Sequence, residues 1–160
     1  MQPIKRGLLP RCVGRTKGGI NTKLHAVVDG RGQPIMFALT EGQCSDHTGA
    51  KLLYPELPDF RNRKTTKHHK AVLIGDKGYD SDEFREALNA KKISACIPGR
   101  SSRKQPVAYD KSLYKQRNLV ERMFGRLKDW RRIATRYDRN AEIYLSAITI
   151  AATVIFYLKQ

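Results

Sequence analysis

The run Ala71-Val72-Leu73-Ile74-Gly75 is continuously apolar and stops at Asp76. A short run of this kind marks a strand buried on both faces, which requires helices above and below a sheet. The neighbouring patterns agree. Lys23 to Asp29 and Ile35 to Leu39 read as two strands joined by the turn residues Gly30 to Pro34, a β-hairpin. Ser45-Asp46-His47 opens a helix through Ala50, Leu52 and Leu53, and another helix starts near Ser81 and continues through Phe84 and Leu88. Ile93 to Pro98 is a strand stopped by its proline. A helix follows from about Ser112 to Arg132, and a last one closes the chain. Strand, strand, helix, strand, helix, strand, helix, helix is an α/β layer arrangement.

Within the helix after Ser112, Val120, Met123, Phe124, Leu127 and Trp130 recur at helical spacing, which gives it one apolar face. Tyr114, Arg117, Glu121 and Lys128 fall in a narrow stripe beside that face. One carboxylate among two cations and a phenol suits a phosphate backbone, with the carboxylate free to hold a metal. The same pattern is also what an ordinary solvated helix with weak ion pairs contains. Asp76 stands where open α/β sheets place reactive groups, at the C-terminal end of a strand; it would equally serve to organise a turn. Asp80 is expected to cap the helix that follows, in competition with Ser81. Asp29 precedes a glycine at a hairpin turn, His25 reads as a packed histidine, and His68-His69 lack a third ligand at metal spacing.

Charge narrows the partners. The 160 residues carry 31 Lys+Arg against 15 Asp+Glu, a formal +16. Residues 91 to 139 hold 15 basic and 4 acidic side chains, so +11 of the total lies there. That density implies a polyanion, with nucleic acid first and an anionic membrane surface second. Cys12, Cys44 and Cys96 are odd in number and share no metal-like spacing, as expected of reduced cytosolic thiols. Ile143 to Leu158 is shorter than a bilayer span and reads as a buried core helix. Residues 1–22, with two prolines, four glycines and five basic residues, read as a basic flexible arm ahead of a domain over 23–160.

The spacing Tyr114-x2-Arg117-x3-Glu121-x6-Lys128 resembles the signature of a large group of bacterial insertion-sequence transposases with an acidic DDE triad. The likeness extends to Gly14-Arg15-Thr16-Lys17-Gly18-Gly19, Gly75-Asp76-Lys77-Gly78-Tyr79-Asp80 and Arg132-Ile133-Ala134-Thr135-Arg136-Tyr137-Asp138. From about Arg11 onward the chain looks like the C-terminal part of such an enzyme. The resemblance implies a ribonuclease-H-like mixed sheet flanked by helices, with Asp76 and Glu121 as the second and third carboxylates. They would hold Mg²⁺ (or Mn²⁺) in a two-ion site that cuts and joins DNA. Tyr114, Arg117 and Lys128 would grip the strand near the cleaved bond, and Arg122, Arg126, Arg131 and Arg132 would add general phosphate contacts. The partners implied are insertion-sequence ends and target DNA, an oligomer on that DNA, and an upstream-frame product or full-length transposase; the location is cytoplasmic and nucleoid-associated, with no membrane.

The relatives carry their first Asp upstream of the Gly-Arg-Thr-Lys-Gly-Gly segment, whereas no acidic residue precedes Lys23 here. The expectation is therefore a C-terminal portion missing the first strand and inactive alone. The competing functions are a non-enzymatic DNA-binding remnant that inhibits full-length enzyme, and a basic protein of the membrane surface.

Overall fold

The computed structural model describes residues 11–60 and 71–158. They separate into two units, one formed by the chain up to Cys44 and from Arg122 onward, the other by Ser45–Glu121.

The first unit holds an antiparallel sheet in the order β1 (Gly14–Thr16), β2 (Gly19–Val28), β3 (Pro34–Glu41). β1 covers only Gly19 to Asn21 of β2, and β2 from Thr22 to Val28 pairs with β3. Within 11–22, Gly14–Thr16 and Gly19 onward are thus strand where an arm is expected. The chain reverses at Lys17-Gly18, the next residue Gly19 takes φ +105°, and the Thr16 hydroxyl donates to Gly19 O at 3.0 Å. The guanidinium of Arg136 holds the segment from behind, donating to Arg11 O at 2.7 Å, Cys12 O at 3.3 Å and the Thr22 hydroxyl. Residues 1–10 of the arm lie outside the described residues. Asp29 is occupied by its hairpin turn: its Oδ1 accepts the N–H groups of Arg31 and Gln33, both at 2.9 Å. His25 is packed, 3% exposed and bonded to Thr40 Oγ1 at 2.9 Å.

The last helix, α6 (Ala141–Thr153), starts at Asn140, whose side chain accepts from Glu142 N, and continues as a π-helical turn over Val154–Leu158. Tyr144, Ile148, Ala151, Ala152 and Phe156 form its buried face, and Tyr157 and Phe156 bond to the β2–β3 turn through Pro34 O and Gln33 Nε2. The helical run Ala141–Leu158 reaches 18 residues with mean hydropathy 1.8, enough by length and composition to cross a membrane. This corrects the expected shortfall. Only 33% of it is buried, because it packs by one face while Ile143 and Ile150 stay exposed.

The second unit contains α1 (Asp46–Leu53), β4 (Ala71–Ile74), α2 (Asp82–Ala90), β5 (Ile93–Cys96), α3 (Lys111–Tyr114) and the first turn of α4 (Asn118–Lys128). β4 and β5 run parallel, from Ala71 opposite Ile93 to Ile74 opposite Cys96. Among the described residues β5 is the only strand beside β4, and Val72 is 41% exposed. The two-sided burial expected of this run is therefore not realised. Ser45 caps α1, as its sequence position predicts, and Ser81 rather than the expected Asp80 caps α2. His47 links the two helices through Ser81 Oγ at 3.2 Å and Glu83 Oε2 at 3.3 Å. His68-His69 lie outside the described residues.

Lys91, one residue past α2, donates from Nζ to the carbonyls of Tyr54, Pro55 and Leu57 at 2.8–2.9 Å and sits 4.7 Å from the Tyr54 ring centroid. One ammonium thus satisfies three carbonyls of the turn after α1. Hydrogen bonds to a charged donor are the stronger kind, so Lys91→Ala is expected to cost about 2 kcal/mol. A lowered urea midpoint at unchanged slope checks this.

Candidate catalytic site

Asp76 is presented by a turn that is fixed from several sides. β4 ends at Ile74, and Gly75 N donates to Cys96 O at 3.3 Å, so the two strands stay in register to the last residue. A Cβ on Gly75 would lie 3.3 Å from Ile97 Cγ1, a close approach that favours glycine here. Asp76 then adopts extended backbone, and its Oδ1 accepts from Lys77 N at 2.7 Å to start a 3₁₀ turn over Lys77–Tyr79. Arg100 clamps that turn, with Nε to Lys77 O at 3.3 Å and Nη2 to Gly78 O at 2.6 Å. Asp76 organises the turn through one oxygen, and its side chain remains 54% exposed.

Asp80 departs from the capping role expected of it. Ser81 caps α2, while the Asp80 carboxylate is 1% exposed and gathers the basic loop around it. It accepts from Arg85 Nε at 2.9 Å, Arg100 N at 2.8 Å, and Arg103 Nε and Nη2 at 2.9 and 3.1 Å. Burial alone would raise its pKa, but the bonds from Arg103, Arg100 N and Arg85 outweigh this and bring it down to about 2. Arg103 also reaches Asp82 at 2.6 Å, and Arg85 reaches Ile97 O at 2.7 Å. Sequence reasoning missed this hub. The one signal available was an acidic residue between two strong helix-start signals, followed by three arginines within 23 residues.

The stretch carrying the signature residues is not one helix. Asp110 caps α3 by accepting from Ser112 N and Leu113 N, Lys115–Arg117 tighten to a 3₁₀ turn, and α4 begins at Asn118. The change of pitch keeps the functional groups adjacent. Arg117 Cζ lies 5.9 Å from the centroid of the Tyr114 ring, which packs edge-on against Tyr109 at 5.3 Å. Arg117 Nη2 meets Glu121 Oε1 at 2.6 Å, and its Nη1 lies 4.0 Å from Asp76 Oδ2. One guanidinium therefore spans two carboxylates that are 45 residues apart in sequence. Burial, then Asp76, raises the Tyr114 pKa, so its hydroxyl keeps its proton. Tyr79 is pushed up to about 12 by burial and then by Asp46 and Asp76.

The remaining residues of the sequence reading differ in their freedom. Arg122, Lys128 and Arg131 are exposed, and Lys128 follows Glu121 by seven residues, two turns along the same face of α4. Arg126 donates to Ile155 O at 2.9 Å and lies over the Phe156 ring, so its head is engaged with the last helix. Arg132 is held in a two-bond pair by Asp138, at 2.7 and 3.1 Å.

Asp76 and Glu121 offer two exposed hard oxygen donors whose combined charge the single Arg117 guanidinium only partly offsets, a donor chemistry that fits a divalent ion such as Mg²⁺. Among the described residues no group of three His, Cys, Asp or Glu side chains is close enough to share an ion. The features so far define a basic α/β protein in which two exposed carboxylates, Asp76 and Glu121, approach one guanidinium.

Comparison with known proteins gives the family. The model of the Transposase DDE domain matches residues 73–158, more than half of the chain and a span that contains both Asp76 and Glu121. The chain is 32% identical over 138 residues to a candidate transposase for insertion sequence element IS6501 of Brucella ovis, covering 86% of this chain and 98% of that relative. It is 30% identical over 151 residues to a candidate transposase for insertion sequence element IS402 of Burkholderia cepacia, covering 89% and 69% respectively. No solved structure matches the chain. The protein belongs to the DDE transposases of bacterial insertion sequences.

Proposed function

We propose that Asp76 and Glu121 are the second and third carboxylates of the DDE triad, in the C-terminal portion (23–160) of a ribonuclease-H-like catalytic domain that cuts and joins insertion-sequence DNA. The observation that carries this reading is the guanidinium of Arg117, which is bonded to Glu121 at 2.6 Å and lies 4.0 Å from Asp76. Asp76 and Glu121 would hold the Mg²⁺ or Mn²⁺ of the site. When bound, the metal supplies charge neutralisation and an activated hydroxyl at the phosphodiester.

The chain's own groups perform the rest. Arg117 has a second use for its donors, since a guanidinium that pairs with carboxylates also fits a phosphate by two parallel bonds. Tyr114 keeps its proton and offers a donor to the same strand. Lys128, Arg122 and Arg131 contact neighbouring phosphates as exposed charges. The Arg100 clamp and the Asp80 hub keep the turn bearing Asp76 from yielding when the substrate's charge arrives.

Two carboxylates do not complete a two-ion site, which needs a bridging ligand. We infer that the first Asp comes from a strand outside this chain, encoded upstream or carried by a full-length transposase. Two features support this: β4 has one strand neighbour, and β2 from Thr22 to Val28 pairs only with β3 among the described residues. Asp29 is a poor substitute, since its carboxylate is bonded into its own turn. The purified chain is expected to neither nick nor join supercoiled or transposon-end DNA with Mg²⁺ or Mn²⁺. Fusion to the upstream segment with its Asp strand restores activity. Cleavage by the short chain that vanishes in Asp29→Asn would overturn the assignment.

Binding itself is expected to be salt-steep and indifferent to sequence. With Arg117, Arg122, Lys128 and Arg131 each on a phosphate, the slope of log K against log salt is about −3 to −4, so a fourfold rise in salt lowers affinity roughly a hundredfold. Fluorescence anisotropy on a short duplex across a salt series measures it, and a flat response would remove DNA as the partner.

A further inference from the structure

In the first unit, the segment between α4 and α6 carries aromatic surface that the catalytic reading leaves unused. Tyr137 is 63% exposed and Trp130 is 40% exposed. A shallow, open cleft of about 420 Å³ is lined by Arg131, Arg132, Tyr137 and Asp138. Leaving large rings in water beside guanidinium groups forfeits burial energy, and such rings are what a protein offers to a flat, charged ligand.

The frame behind the Tyr137 ring is fixed. Asp138 is bound in two bonds by Arg132, and the carbonyls of Asp138 and Arg139 accept from Arg136 at 2.8 and 3.3 Å. Arg136 in turn lies 5.1 Å from the Tyr144 ring centroid, and the Tyr144 hydroxyl donates to Ile133 O at 2.9 Å. The backbone on both sides of Tyr137 is therefore held while its ring stays bare, so little ordering entropy remains to be lost on binding. α5 (Arg131–Ala134) brings Arg131 to the same cleft, exposed. The pair Arg132–Asp138 cancels, and Arg131 leaves the cleft with a net positive charge.

An aromatic wall with one phosphate-binding guanidinium fits a nucleotide whose base face is accessible. Bases inside a duplex are stacked on both faces and cannot meet it. We propose that this cleft holds one unpaired nucleotide of a DNA strand, with the base stacked on Tyr137 and a flanking phosphate on Arg131. The proposal rests on the reading of the chain as DNA-acting and adds to it a preference for single-stranded extensions over blunt duplex.

Two probes test it at one salt concentration: a blunt duplex, and the same duplex with a three-nucleotide single-stranded extension containing 2-aminopurine. Tyr137→Ala is expected to lower affinity for the extended duplex about tenfold, from the loss of one base stack. It should leave the blunt duplex within about twofold, because stacking on an aromatic ring needs an accessible base face. Tyr137→Phe keeps the stacking face and should retain wild-type affinity for both. Quenching of the 2-aminopurine by wild type and Tyr137→Phe, and its absence with Tyr137→Ala, places the base on the ring. An equal effect of Tyr137→Ala on both probes, or none on either, overturns the proposal while the DNA reading stands. Failure of the wild type to bind either probe overturns both.

Discussion

Glu121→Gln is expected to abolish metal-dependent strand cleavage by the complete enzyme without lowering its affinity for DNA. The amide keeps the shape of the side chain and loses the charge that a hard divalent ion requires. If metal-assisted charge stabilisation supplies about 4 kcal/mol to the transition state, the rate falls roughly a thousandfold. Glu121 is 56% exposed and bonded only to Arg117 in its own helical segment, so the fold does not depend on it. Removing the acid also releases Arg117 from its nearest partner, which favours phosphate contact. The measurement pairs a nicking assay on transposon-end DNA with anisotropy on the same fragment. A variant that cleaves at the wild-type rate would reduce this helix to a binding face.

The second large effect lies four residues from Asp76. Asp80→Asn leaves Arg85 and Arg103 around a neutral group in a buried place, and removing one partner of a buried ion pair costs about 3–5 kcal/mol. For a chain of this size that corresponds to a melting temperature lower by roughly 10 °C. The pH dependence has a definite sign. The folded pKa is depressed from 3.8 to about 2, so the stabilisation is complete above about pH 4 and fades as the pH falls toward 2. Wild type and Asp80→Asn should therefore differ most near neutrality and converge in strong acid. Thermal melts across that window show it; a constant gap down to pH 2 would mean that the charge of Asp80 contributes nothing.

Much of this was readable from the chain because local chemistry determined it. The Ser45 cap, the hairpin with Asp29 in its turn, and the α2–β5 pattern depend on a few adjacent residues. That Asp76 and Glu121 both approach Arg117 has no local signal, since no local rule joins residues that far apart; only the resemblance to the transposases related the two carboxylates. Three features stayed hidden. The 3₁₀ turn at Lys115–Arg117 interrupts a stretch whose apolar spacing is uniformly helical, and periodicity does not register a change of pitch over three residues. Asp80 looked like a cap because capping and buried pairing use the same side chain, and only burial distinguishes them. The first β1–β2 reversal was obscured by glycines and basic residues, which suggest a loop until Arg136, 114 residues beyond Thr22, is seen to fasten it.

The order of the two units along the chain bears on how the protein is made. Ser45–Glu121 is one uninterrupted segment, whereas the other unit needs residues up to Cys44 and residues from Arg122 onward. Its fastening bonds join Arg136 to Cys12 and Tyr157 to Pro34, across 124 and 123 residues. Closing such long loops is entropically slow, and the bonds form only after Arg136 and then Tyr157 have been synthesised. On the ribosome the segment bearing Asp76 is therefore expected to fold first, and the β2–β3 hairpin waits, half of a structure, for Ala141–Leu158 to leave the tunnel.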